Sequence, residues 1–98
     1  MNARDILLKS AELVSGDRQA THGDKTQNHE NIATLWNAYL DIRPDPTAPL
    51  TALDACHMML LLKLARTQLG GFNPDNWVDM AGYAGCAGEI QSRRCDIS

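Results

Sequence analysis

A chain of 98 residues has room for one small domain, taken as 1–98, and cannot by itself bury a large share of its surface. A net charge of −3 and a pI near 5.4 exclude extended nucleic acid bound through a broad basic surface, whose affinity comes from neutralising phosphates, but leave room for one small phosphorylated ligand. The three cysteines, Cys56, Cys86 and Cys95, have no metal-type spacing and form no disulfide framework, and no stretch reads as a signal peptide or membrane span, so a cytoplasmic protein without a membrane partner is expected.

The first predicted helix covers 2–15. Asn2 can cap it, Asp5 sits at a favourable early position, and Gly16 ends it. The segment 16–26, GDRQATHGDKT, has no apolar periodicity and reads as a long polar loop. Loops of that length in a small domain are often functional. Arg18, His22, Asp24 and Lys25 could converge there on a phosphorylated ligand, with Gly23 letting the backbone come close; a solvated connector is the plainer alternative.

A second helix is expected over 27–41, with Ile32, Leu35, Trp36, Tyr39 and Leu40 at helical spacing. Trp36 reads as a core anchor. The proline-rich connector RPDPTAP cannot continue that helix. The third helix, 51–67, is apolar nearly all round, which marks a buried helix, and charges at Asp54, His57, Lys63 and Arg66 make its apolar run too short to cross a bilayer. Thr51 with Asp54 three residues on predicts a capping box, and Gly70-Gly71 stops the helix. At about 100° per residue, Asp54 and His57 share one side near its start, and Lys63 and Arg66 share another near its end.

The fourth helix, 74–92, opens on Asn73 as cap, Pro74 at the first position and Asp75 in the first turn. Ala81, Gly82, Ala84, Gly85, Ala87 and Gly88 leave it little bulk. Three helical glycines cost roughly 1 kcal/mol each relative to alanine, and close helix–helix approach is the expected compensation. Asp79 lies on a face with Tyr83, Cys86 and Ile90; Cys56 and Cys86 read as small core residues, and the tail after 92 as fraying. A third helix apolar on every side, with only three others to cover it, predicts a homo-oligomer in which the third or fourth helix meets another subunit.

Three segments together resemble a family of small phage and prophage proteins: DRQATHGD at 17–24 followed by a helix bearing Leu35-Trp36, MMLLLKLAR at 58–66, and DNWVDMAGYA at 75–84. Their layout also resembles the MazG-like all-α nucleotide pyrophosphohydrolases. That resemblance implies an all-α four-helix bundle completed by oligomerisation, and cleavage of nucleoside triphosphates to monophosphate and pyrophosphate with carboxylate-held magnesium. MazG-like enzymes carry E-x-x-E and E-x-x-D pairs. The corresponding places here read Asp54-x-x-His57 and Asn76-x-x-Asp79, which keeps two carboxylates of four.

Two functions follow as expectations. In the first, Asp54 and Asp79, with Asp75 and Glu30 nearby in role, hold Mg2+ that activates water, while Arg18, Lys63 or Arg66 bind phosphates. In the second, the same fold holds a nucleotide or a nucleotide-derived immune signal without cleaving it, through Arg18, His22, Asp24, Lys63 and Arg66. A purely structural or interaction role is the third possibility.

Overall fold

A computed structural model describes residues 1–14 and 24–97. It is all-helical: α1 spans Ala3–Val14, α2 Lys25–Ile42, α3 Ala52–Arg66 and α4 Pro74–Ile97, with no strand among the described residues.

The helix starts are set by local chemistry. Asn2 and Asp5 cap α1 reciprocally, the Asp5 N–H donating to Asn2 Oδ1 at 2.9 Å and the Asn2 N–H to Asp5 Oδ2 at 3.3 Å. Helix α2 begins at Lys25, earlier than expected, because Asp24 is its cap: Asp24 Oδ1 accepts the Gln27 N–H at 2.8 Å. Asp24, Lys25 and Thr26 therefore belong to a helix start and not to a loop. The rest of the expected loop, with Arg18, His22 and Gly23, lies outside the described residues. The Thr51–Asp54 capping box of α3 is present as expected. Thr67 closes that helix by donating its hydroxyl to the Leu64 carbonyl at 2.6 Å, and Gly70 then takes a φ of 79°, a conformation that favours glycine. At the start of α4, Asn73 Oδ1 accepts the Asp75 N–H at 3.0 Å.

The expected fraying after 92 is corrected: α4 continues to Ile97. The pair Arg93–Glu89, 3.1 Å apart at i,i+4, supports that last stretch.

Helix α3 lies in the middle, packed against α2 on one side and α4 on the other. The α2–α3 register is fixed where Trp36 Nε1 donates to the Met58 carbonyl at 2.7 Å. It is repeated where Tyr39 meets Asp54 and His57. These contacts make the two helices antiparallel. The short turn 67–73 makes α3 and α4 antiparallel as well, and Lys63–Asp79, 2.9 Å, sets their register. Extended two turns, the two registers bring the first turn of α2 and the first turn of α4 to the last turn of α3, about 12 Å along the axis from Met58.

Two sequence expectations change. Met58 to Leu64 are half-buried, so α3 is covered on two sides and not engulfed; the core proper is Ile32, Ala65 and Ala87. Cys86 is exposed, because Asn76, Tyr83 and Ala87 take the face of α4 that turns inward. A Cβ added at Gly82, Gly85 or Gly88 would meet nothing within 4 Å, so among the described residues no other helix approaches that glycine face. Helix α1 also leaves Ile6, Leu7 and Leu8 exposed. Among the described residues no helix is long and apolar enough to cross a membrane.

Candidate functional site

Helix α3 carries two polar clusters, one at each end. At its start, Asp54 is buried and its carboxylate accepts from four donors. Oδ1 takes the Tyr39 hydroxyl at 2.5 Å. Oδ2 takes Arg43 Nη2 at 3.1 Å, the Thr51 N–H at 2.8 Å and the Thr51 hydroxyl at 3.0 Å. Arg43 is itself held by the Ala48 and Pro49 carbonyls at 2.9 and 3.1 Å. The Tyr39 hydrogen bond, then that of the Thr51 backbone, with Thr51's hydroxyl and the Arg43 charge adding to them against burial, pulls the Asp54 carboxyl down to about 2. Burial first, then the bond to Asp54, pushes the Tyr39 hydroxyl up to about 12.

Tyr39 also lies 2.9 Å from His57 Nδ1, the two rings edge-on. Because the one phenolic proton goes to Asp54, His57 must donate to the Tyr39 oxygen, which fixes its proton on Nδ1. Asp54 and His57 do share a side, as the helical wheel requires. Their partners make the group a clamp between α2, the proline-rich connector and α3.

At the other end, Lys63 Nζ pairs with Asp79 Oδ2 at 2.9 Å; the lysine side chain is mostly buried and the aspartate partly open. One turn further, Arg66 is half-buried, and its Nε is fully buried with no hydrogen-bond partner among the described residues. It takes part in none of the ion pairs among the described residues. Asn28, 5% exposed, reaches this end through the α2–α3 register, and its Oδ1 is likewise buried and unpartnered. Asn76, 4% exposed, arrives through the α3–α4 register with no hydrogen bond to its side-chain amide among the described residues, although only the Asn28 and Arg66 atoms are wholly buried without a partner. Unanswered buried polar atoms are rare in folded proteins and call for a partner.

The α3–α4 turn, which follows Arg66 in the chain, forms a half-open cavity of about 240 Å3, walled by Thr67, Gly70, Phe72, Asn76 and Trp77 among others. A wider, open hollow of about 480 Å3 lies on the first turns of α2, against Lys25, His29 and Glu30.

Lys63, Arg66 and Asp79 are thus gathered at one end, whereas Asp54 sits nine residues before Lys63, about 13 Å along α3. Within one copy of the chain, the two carboxylates Asp54 and Asp79 share no site. Among the described residues no three His, Cys, Asp or Glu side chains group as metal ligands. Asp75, one turn before Asp79, is exposed. Sequence reasoning missed Tyr39, Arg43, Asn28 and, as a buried residue, Asn76. Tyr39 was legible only as an apolar position, and Arg43 only as the first residue of a breaker.

The family model described as "Domain of unknown function (DUF6378)" matches residues 5–91. The chain belongs to the DUF6378 family. This DUF6378 chain is similar to the Gene 55 protein of Mycobacterium phage L5, 42% identical over 86 residues that cover 88% of the chain and 52% of the relative. It is similar also to the Gene 55 protein of Mycobacterium phage D29, 33% identical over 88 residues covering 90% of the chain and 54% of the relative. The chain spans about half the length of these phage relatives. No solved structure matches it.

Proposed function

We propose that this DUF6378 protein binds a nucleotide or nucleotide-derived molecule where α2 begins, α3 ends and α4 begins, and holds it without hydrolysis. One observation carries the reading: Arg66 is half-buried with an unpartnered Nε and, among the described residues, no carboxylate paired with it. A charged side chain whose Nε has left water is ordinarily paired there. Its planar fork fits phosphate oxygens in two parallel hydrogen bonds, so a phosphate is the natural missing acceptor. Lys63 adds positive charge one turn away, and Asn28 offers a second unanswered polar group at the same end.

Binding is favoured over cleavage because both candidate metal carboxylates are already engaged. Asp54 answers Tyr39, Arg43 and Thr51, and Asp79 answers Lys63. Magnesium held jointly by Asp54 and Asp79 would need both clusters to open and the two carboxylates to come from different copies. In a phage setting, holding a host nucleotide signal out of circulation is a use consistent with binding alone.

We also propose that a second copy covers the open face of α4. Val78 is 66% exposed there, and Ala81, Gly82, Gly85 and Gly88 lie exposed on the same side. The glycine cost stays without compensation within one chain.

The test of the binding reading is calorimetric titration with nucleoside mono-, di- and triphosphates and cyclic nucleotides, with and without magnesium, followed by chromatography of the recovered ligand. The expected result is saturable binding of at least one, recovered intact and weakened tenfold or more by Arg66→Gln. Pyrophosphate release that is lost in Asp79→Ala would instead establish the hydrolase. No binding across the panel would sink the nucleotide reading.

A further inference from the structure

We propose that the cavity in the α3–α4 turn binds an uncharged planar nitrogen heterocycle of the nucleobase type, stacked on Phe72 and Trp77 and hydrogen-bonded by Asn76. For a complete nucleotide this rests on the phosphate reading of Arg66, but the ring site stands on different residues.

Among the wall side chains that lack a hydrogen bond among the described residues, the Asn73 Nδ2 and the Trp77 indole N–H belong to more open residues, and Asn76 alone is buried. Thr67 spends its hydroxyl on the Leu64 carbonyl and accepts from Gln68 Nε2 at 3.0 Å. Asn73 spends its carbonyl oxygen on the Asp75 N–H. Asn76 is 4% exposed, lines the cavity, and has an amide that no described residue answers. An amide presents a donor and an acceptor side by side, the pattern that pairs with the edge of a nitrogen heterocycle, as asparagine does with adenine. The other free surface is aromatic. Phe72 is 82% exposed and Trp77 55% exposed, an unusual amount of ring for a chain with so few aromatics to leave in water. Aromatic side chains in such positions stack flat rings with little regard for their identity.

Charge and size narrow the ligand further. None of the residues that wall the cavity is charged, which selects a neutral ring over an ionised group. Its volume of about 240 Å3 falls below the roughly 300–1,000 Å3 of pockets that enclose whole drug-sized ligands, and suits one ring system with its substituent leaving through the mouth. Arg66 directly precedes the wall residue Thr67, so a phosphate on that substituent has a cation to reach. Gly70 holds the turn open: its φ of 79° disfavours any side chain there.

The test uses the intact chain labelled with 5-fluorotryptophan, whose two tryptophans give separate fluorine signals. Nucleosides, which carry no phosphate, are titrated in, and inorganic pyrophosphate is titrated in a parallel series. At least one nucleoside should shift the Trp77 signal saturably and leave Trp36 in place. Phe72→Ala, a change at an exposed position that leaves the core untouched, should weaken that binding tenfold or more, and Asn76→Leu should do the same while the dispersion of other signals shows a folded chain. If no nucleoside moves Trp77 up to millimolar concentration, the ring site is overturned, even where pyrophosphate still binds. If nucleosides bind and pyrophosphate does not, the ring site stands and the phosphate reading of Arg66 fails.

Discussion

Removing one oxygen, in Tyr39→Phe, isolates the largest contribution to the ionisation of Asp54. The carboxyl sits at about 2 against an ordinary 3.8, and the Tyr39 hydroxyl at 2.5 Å is the leading cause. Thr51 and Arg43 remain in the variant, so the expected change is a partial return, upward by about one pH unit and still below the ordinary value. His57 loses the oxygen that accepts from its Nδ1 in the same step. The assay is carbon-detected NMR titration of the Asp54 side-chain carboxyl in both proteins. The linkage has a definite sign. A depressed carboxyl contributes stability that is present above its unfolded pKa and lost as pH falls through the folded one. Acid unfolding of the parent should therefore set in below about pH 4 and deepen toward 2. In Tyr39→Phe that acid dependence should shrink. Tyr39, whose own pKa is raised to about 12, contributes stability that is full below its ordinary 10 and lost as pH rises through 12, and the variant should lack this alkaline limb as well. An Asp54 titration that does not move would refute the claim that Tyr39 holds this carboxylate.

Trp36→Phe deletes the indole N–H that bonds the Met58 carbonyl at 2.7 Å; a loss of about 1 kcal/mol is expected, a fall in Tm of roughly 4–8 °C by calorimetry, and no change would mean the bond contributes nothing. Light scattering with size exclusion at micromolar concentration should give a mass of at least twice 10.8 kDa, and Gly85→Leu should return it to the monomer; a parent that is monomeric throughout contradicts the second copy on α4. Lys63→Met removes the partner of Asp79 and a cation near the ligand end, so nucleotide affinity should fall, whereas removing the distant Thr51 hydroxyl in Thr51→Ala should lower Tm and leave affinity unchanged.

Much of the fold is written in local chemistry. The Thr51–Asp54 box, the Asn73-Pro74-Asp75 start and the Asn2–Asp5 cap each depend on residues within three positions of one another, so a reading of the sequence reaches them. The start of α2 depends on the same chemistry, yet Asp24 reads as loop in the sequence because its neighbours Arg18, His22 and Lys25 give the whole segment a polar character. The site was less accessible. A helical wheel places Lys63 and Arg66 together, but it cannot know that Asp79 meets Lys63 and leaves Arg66 alone; that follows from the antiparallel register of α3 and α4. Tyr39 and Arg43 reach Asp54 across 15 and 11 residues, a distance no local pattern spans. The glycines of α4 are legible as a propensity cost, but their direction is set by which face of α4 packs on α3.

The central claim is that Arg66 awaits a phosphate. The direct measurement is the proton–nitrogen NMR signal of the Arg66 Nε–H, assigned through Arg66→Gln, followed as the nucleotide that binds in calorimetry is added. A hydrogen bond to phosphate oxygen should move that signal downfield and protect it from exchange with water, while the Arg43 and Arg93 side chains keep their positions. An Arg66 signal that stays in place while the nucleotide saturates the protein would contradict the account.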